Sequence, residues 1–113
     1  MRLIDHLCVP YRLEAETVEL ADGAWARRVS YPELPGCTAE SDVVEDALCQ
    51  LERKRIEIII HMVGEGRAPP VPRPPLRDCD PAWVAKKVGV TPELVALFDR
   101  EVATIVPRQR GIY

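Results

Sequence analysis

A long helical pattern near the middle of the chain limits the folds that are open to it. Residues 43–63 repeat apolar side chains at helical spacing, and Gly64 and Gly66 follow as stop signals. The apolar stripe consists of Val44, Ala47, Leu48, Leu51, Ile58, Ile59 and Met62. A helix of this length spans about 30 Å, the diameter of a small domain. The rest of the 113-residue chain must therefore pack around it.

The last turns of this helix are apolar on two sides. Ile56, Ile60 and Val63 lie on a different face from the main stripe. One face can cover a sheet, and the other needs a partner or a second layer. Because a monomer with a thin sheet leaves this second face in water, we expect a homodimer or tetramer with these three residues in its interface.

Two segments before the helix have the alternation of half-buried strands. Residues 11–15 alternate apolar and charged side chains, and a phase slip near residue 17 predicts that this strand bends or ends there. The segment 25–31 alternates again and places three apolar side chains on one face: Trp25, Val29 and Tyr31. Asp22-Gly23 between the segments is a strong hairpin signal. The two segments predict an antiparallel pair.

A third strand and the helix start follow a break that is rich in proline. Residues 37–39 favour a short strand, and Ser41 or Asp42 is placed to cap the helix, with Glu45 at capping-box distance from Asp42. These elements predict an α+β fold. A small antiparallel sheet of three strands, possibly with a short fourth, carries one long helix packed across it, and a pair of short C-terminal helices follows.

The remaining segments give the chain its predicted organisation. Residues 67–78 hold five prolines and favour an extended, semi-stiff linker. Asp80-Pro81 and Thr91-Pro92 each pair a cap residue with a proline, and they predict helices over about 81–88 and 92–105. The predicted parts are an N-terminal arm (1–10), a β-β-β-α domain (11–66), the linker (67–78), a helical pair (79–107) and a tail (108–113).

The C-terminal pair has the spacing of a helix-turn-helix motif. Ala85 stands four residues before Gly89, and apolar residues follow that glycine at the expected positions. The second helix begins Pro-Glu-Leu, however, and lacks the Arg, Asn or Gln side chains that read base edges. A structural or oligomerising hairpin is therefore favoured over DNA binding. The DNA-contact residues of the second interpretation are Lys86, Lys87, Thr91 and Glu93.

Several classes of function lack their residues. The four cysteines are widely spaced without a Cys-x-x-Cys pair, and no nucleophile or phosphate-loop motif is present. Carboxylates near the helix start are explained by capping and the helix dipole. We therefore expect no metal, no cofactor, no small-molecule substrate and no catalytic residue. Asp5 and His6 interrupt any signal peptide, and the longest apolar run is Ile58–Ile60, so we expect a cytoplasmic protein without membrane contact.

Charge is unevenly spread along the chain. Residues 1–52 carry eleven acids against four bases, whereas residues 53–77 carry six bases against two acids. A nucleic-acid binder usually shows the opposite bias in its folded part. The acidic half favours a basic protein as partner.

The segment 31–48, YPELPGCTAESDVVEDAL, is similar to the signature of HicB-like antitoxins. In that signature an aromatic-Pro-acidic-Leu-Pro-Gly-Cys turn leads through a short strand to a capped helix that opens with two acids, Ala and Leu. The resemblance covers about residues 11–75. Ser41 stands where the family commonly has Gly, and the apolar fourth strand often found after the proline-rich stretch is not evident.

The resemblance implies both a fold and a partner. The fold is a partial ribonuclease-H-like one without nuclease activity, so residues 11–66 become a HicB-like domain. The partner is a small basic ribonuclease toxin (HicA-like), which the antitoxin neutralises by covering its catalytic histidine. Many family members also repress their own operon through a C-terminal DNA-binding module. The alternatives are a transcriptional regulator that binds operator DNA through the helical pair, and an orphan relative that keeps the fold as an oligomeric binding protein.

The turn after Tyr31 is the predicted contact with the toxin. A loop held by prolines loses little entropy on binding, and Glu33 adds an acidic group to it. The predicted toxin-binding residues are Tyr31, Glu33, Leu34, Gly36 and Glu40. The plainer interpretation is that this turn only sets the angle between strand and helix.

Overall fold

The computed structural model describes residues 1–99 of the chain. In this range three strands form one antiparallel sheet in the order β1-β2-β3: β1 (Glu14–Glu19), β2 (Trp25–Ser30) and β3 (Thr38–Ser41). The helices of the same range are α1 (Leu3–Leu7), α2 (Val44–Gly64), α3 (Pro81–Lys87) and α4 (Pro92–Val95). The predicted α+β class is confirmed, with its three antiparallel strands, one long helix and short C-terminal helices.

The helix α2 covers only part of the sheet. Val29 in the central strand lies opposite Ala15 in β1 and Ala39 in β3. α2 packs across β2 and β3 and buries Val29 and Ala39. Ala47 and Leu51 of α2 belong to the same core. β1 lies outside this packed area, so Ala15 stays exposed although it shares the face of Val29.

The second face of α2 is covered by other helices of the same chain. α1 and α3 both pack against α2, and one core cluster extends from Leu3 to Phe98. Ile56 is 0% exposed, and Ile60 and Val63 are half-buried against that core. Contrary to the predicted oligomer interface, Ile56 is therefore not exposed to a second copy. The protein supplies the second layer itself.

The segment 1–10, which the sequence predicts as an arm, contains the packed helix α1. Leu3, His6 and Leu7 of α1 are buried. The amide of Ile4 donates a hydrogen bond to the carbonyl of Phe98 at 2.7 Å. The start of the chain is thus joined directly to the C-terminal helices.

The proline-rich residues 67–78, here called the strap, contain no helix or strand and are tied to other parts of the fold. Pro69 is buried. The hydroxyl of Tyr11 donates to the carbonyl of Pro70 at 2.8 Å, and the amide of Leu76 donates to the carbonyl of Cys8 at 2.9 Å. The strap therefore lies against the N-terminal segment and returns α3 to the common core.

The ends of several elements differ from prediction. α2 has Val43 at its N-cap without a side-chain cap bond, and the Ser41 hydroxyl instead accepts from the Val43 amide at 3.2 Å. The capping box of Asp42 and Glu45 is thus not formed. Asp80 does cap α3, since its carboxylate accepts from the Trp83 amide at 3.2 Å.

α4 is assigned over four residues only, and the predicted continuation beyond residue 99, with the predicted tail, lies outside the described residues. Within residues 1–99, no helix combines the length and the apolar character that crossing a membrane requires.

Candidate protein-binding surface

The turn of residues 31–37 is built into the fold. Leu34 is 1% exposed, and the half-buried Tyr31 donates its hydroxyl hydrogen to Glu52 of α2. Backbone bonds close the turn, including one from the Tyr31 amide to the Cys37 carbonyl at 3.0 Å. Gly36 is exposed and adopts φ +78°, a conformation that favours glycine. Of the predicted contact residues that lie in the turn, only Gly36 is exposed.

The carboxylate of Glu33 is occupied by basic and backbone groups of its own chain. Arg73 of the strap donates to both of its oxygens, at 2.7 and 3.0 Å, and the Arg12 amide donates at 2.8 Å. The hydrogen bond from Arg73, then that from Arg12, lowers the pKa of Glu33 to about 2. Glu33 therefore fastens the turn to the strap, and its charge is already paired.

Glu40 lies on the face of the sheet that points away from α2. There it belongs to a row of charged side chains, one from each of the three strands. Arg28 stands opposite both Glu16 and Glu40 in the strand register. Its guanidinium lies 2.8 Å from Glu40 and 3.2 Å from Glu16. The turn residues pack against α2, whereas Glu40 lies on the opposite face of the sheet. The structure therefore does not bring the predicted toxin-binding residues into one site.

A buried network supports the turn from below. Arg55 of α2 is 7% exposed and donates to the carbonyl of Leu7 at 2.8 Å and to the carboxylate of Glu52 at 3.0 Å. Glu52 also accepts from Tyr31. Burial, followed by this bond to Glu52, raises the pKa of Tyr31. The network joins the turn, α2 and α1, so the shape of the turn depends on charged groups beneath it.

Four exposed apolar side chains belong to the segments at the end of the sheet where α2 begins. They are Trp25, Val43, Val44 and Leu48, here called the Trp25 patch. β2 and β3 pair up to Arg27 and Ser41. Trp25 lies two residues before Arg27, and Val43 lies two residues after Ser41, so both extend past the same end of this pairing. Trp25 shares the face of Val29, the side on which α2 lies.

Trp25 is 60% exposed, although its strand pattern predicts a buried side chain. The reason is the length of the partner strand, because β3 ends before it reaches the level of Trp25. An exposed tryptophan is unusual for a side chain that favours burial so strongly. The short third segment next to a longer second strand was the only sequence signal that pointed to this exposure.

The rim of the Trp25 patch is acidic. Glu19 stands opposite Trp25 on β1, and all the acids around the patch are exposed. They are Glu19, Asp22, Asp42 and Glu45. An aromatic centre with a charged rim is the usual anatomy of a protein-binding surface. The charge of this rim favours a basic partner.

The predicted DNA-contact residues flank the turn between α3 and α4. All of them are exposed: Lys86, Lys87, Thr91 and Glu93. The ammonium group of Lys87 lies 4.6 Å from the centre of the Trp83 ring, and Gly89 between the helices has φ +88°. The carboxylate of Glu93 in the first turn of α4 opposes contact with phosphate. In the described part of the chain, no three His, Cys, Asp or Glu residues are grouped to hold a metal ion.

The motif of residues 31–48 keeps its expected layout of aromatic residue, turn, short strand and helix. Comparison with models of known protein families, with curated proteins and with solved structures finds no match. A functional proposal therefore depends on the motif and on the chemistry of the surface.

Proposed function

We propose that this protein is a HicB-like antitoxin that binds a small basic RNA-cleaving toxin (HicA-like) and blocks it sterically, without catalysis of its own. The observation that carries the proposal is the Trp25 patch, an exposed apolar surface with an acidic rim. The ribonuclease-H-like relationship of the fold and the loss of nuclease activity belong to the same proposal.

Charge and apolar area have separate roles in this binding. The eleven acids of residues 1–52 attract a basic toxin and raise the rate of encounter. Tryptophan is among the side chains that contribute most to binding energy when a partner buries them. Contact with Trp25 and its apolar neighbours then sets the lifetime of the complex.

The turn of residues 31–37 has a positioning role in this proposal. Glu33 is paired with Arg73 and Leu34 is buried, so neither is free to meet a partner without breaking the fold. The turn fixes where β3 begins and how β3 is aligned with β2. It thereby sets the position at which the chain leaves β3 towards Val43 and Val44.

The test is the affinity for the short basic protein encoded next to this chain, with wild type compared to Trp25→Ala. Removing a central tryptophan should weaken binding by about 30-fold or more and restore RNA cleavage by the toxin. The matched control is Trp83→Ala, since Trp83 is 59% exposed but lies on α3. Equal affinities of wild type and Trp25→Ala would contradict the proposed surface, and absence of any complex would contradict the antitoxin function.

The proposal places the protein in the cytoplasm, where a ribonuclease toxin meets its RNA. All four cysteines are free, which suits a reducing compartment. Self-association to a dimer or tetramer stays a prediction, with Ile60 and Val63 the remaining candidates of its interface.

A second candidate is regulation of transcription through the C-terminal helices, favoured by the exposed Lys86 and Lys87 beside a glycine turn. Binding to its own promoter that weakens steeply with salt would support this function.

A further inference from the structure

Two cysteines far apart in the sequence lie side by side in the structure. Cys8 is the C-cap of α1, and Cys79 directly precedes Asp80, the N-cap of α3. The sulfur of Cys8 is 3.9 Å from the carbonyl oxygen of Cys79, so the two residues are in direct contact. The bond from the Leu76 amide to the Cys8 carbonyl holds the strap against this point at 2.9 Å.

We propose that Cys8 and Cys79 are a site of reversible oxidation, at which a small-molecule disulfide such as oxidised glutathione produces an intramolecular disulfide that clamps α1 to α3. The proposal does not depend on the antitoxin function. It rests on the position of the two thiols at the place where α1 ends and α3 begins, since both of these helices pack on α2.

The two thiols differ in access, and this difference sets the order of reaction. Cys79 is half-exposed, whereas Cys8 is buried. A dissolved disulfide therefore meets Cys79 first. Burial, then the neighbouring Cys79 side chain, raises the pKa of Cys8 to about 12, so Cys8 is the slower nucleophile.

A buried cation lies next to Cys8. The guanidinium of Arg55 donates to the carbonyl of Leu7, the residue before Cys8, at 2.8 Å. Its positive charge offsets a part of the rise in the pKa of Cys8 that burial causes. Thiolate formation is the requirement for disulfide exchange.

The exchange takes place in two balanced steps. The Cys79 thiolate attacks one sulfur of oxidised glutathione, whose S–S bond breaks, and the released glutathione thiolate takes up a proton. Cys8 then loses its proton and attacks the Cys79 sulfur, which expels the second glutathione thiolate. The protein dithiol loses two electrons in total, and one oxidised glutathione becomes two glutathione molecules.

The resulting clamp closes a loop of the chain that contains the sheet, α2 and the strap. The residues that it joins are 71 apart, so the bond restricts the unfolded chain strongly. Attack by a reductant on the accessible Cys79 sulfur must expel the thiolate of Cys8, a poor leaving group because of its high pKa. The oxidised form should therefore persist after brief oxidation.

The experiment uses the full chain with Cys49→Ser, because the exposed Cys49 thiol otherwise links one molecule to another. The protein is treated with oxidised glutathione, free thiols are alkylated, and the disulfides are mapped by mass spectrometry of proteolytic fragments. We expect a Cys8–Cys79 link, a rise in melting temperature of at least about 5 °C, and reversal of both by dithiothreitol.

Variants of the two cysteines test the order of the steps. Cys8→Ser should stop at a glutathione adduct on Cys79, and Cys79→Ser should give neither adduct nor link at this site. A glutathione adduct that persists on Cys79 while Cys8 is intact would overturn the proposal, as would a link from Cys79 to the buried Cys37. If a serine variant fails to fold, the disulfide map of the protein that keeps both Cys8 and Cys79 still tests whether the link forms.

Discussion

The carboxylate of Glu33 holds three segments of the chain in place. It accepts two hydrogen bonds from Arg73 in the strap and one from the backbone of Arg12. Arg73 also donates to the carbonyl of Pro10 at 3.3 Å. The position of the turn therefore depends on an ionised side chain.

Stability should consequently fall in acid through Glu33. Its pKa is about 2 in the folded protein against 4.5 as the ordinary value. Because the folded pKa is the lower one, the contribution is complete above about pH 4.5 and is lost as the pH falls towards 2. Urea unfolding at several pH values should show this loss in wild type and a smaller one in Glu33→Gln. Glu57→Gln, an exposed change on α2, is the control, and equal pH profiles for wild type and Glu33→Gln would contradict the role of this ion pair.

Single residues were only partly predictable. The sequence marks Glu33 as an acid in an exposed turn, but its partner Arg73 is 40 residues away in the chain. Trp25 illustrates the reverse error, since its strand pattern predicts burial and its exposure depends on where another strand ends. A local sequence pattern does not show which distant residue a side chain will contact.

The turn of residues 31–37 changes the direction of the chain between β2 and β3. Gly36 provides the positive φ of +78° that this change needs, and nothing lies within 4 Å of the place that a Cβ would occupy. The effect of a larger residue there is therefore backbone strain alone.

Gly36→Ala should lower the free energy of unfolding by about 1 kcal/mol. Gly64→Ala is the matched control, because Gly64 also has open space but belongs to α2, where alanine stabilises by up to about 1 kcal/mol. Urea unfolding measures both changes. If the turn only positions the patch, neither substitution alters the affinity of the folded protein for its toxin. A loss of affinity in Gly36→Ala without a loss of stability would mean that the turn contacts the partner.

At the scale of elements the predictions were closest for α2. Its pattern predicts residues 43–63, and the helix is Val44–Gly64, because the apolar period and the terminal glycines are local signals. The predicted capping of its start was wrong. The Ser41 hydroxyl accepts a hydrogen bond from the amide of Val43, the N-cap residue, and not from an amide inside the helix. β1 is shifted towards the hairpin, to Glu14–Glu19, because the pairing with β2 and not the alternation of residues 11–15 sets its limits.

The whole molecule is joined by one core. Ala85, Val90 and Phe98 from the C-terminal helices are buried in the same cluster as Leu3 and Leu51. Five prolines predicted a linker between two parts, and residues 67–78 contain no helix or strand. Composition does not tell whether such a segment is free or packed, and the hydrogen bonds from Tyr11 and Leu76 hold it against the rest of the fold.

The two tryptophans report on whether the molecule unfolds as one unit. Trp25 belongs to the sheet and Trp83 to α3, and both are exposed. Fluorescence of Trp83→Phe follows the sheet, and fluorescence of Trp25→Phe follows the helical layer. Because both parts share a core, the two variants should have the same urea midpoint once each is corrected for its own stability by circular dichroism. Different midpoints for the two fluorescence signals would show two separate folding units.

The bond between the Ile4 amide and the Phe98 carbonyl has a consequence for synthesis on the ribosome. Ile4 leaves the exit tunnel before the sheet, α2 and the strap, and Phe98 leaves it after them. Until then Ile56 has no complete cover, so the growing chain carries an apolar helix face that chaperones and proteases can reach. The layer over α2 is thus complete only after Phe98 has emerged, and a premature stop within α3 should leave a fragment that the cell degrades.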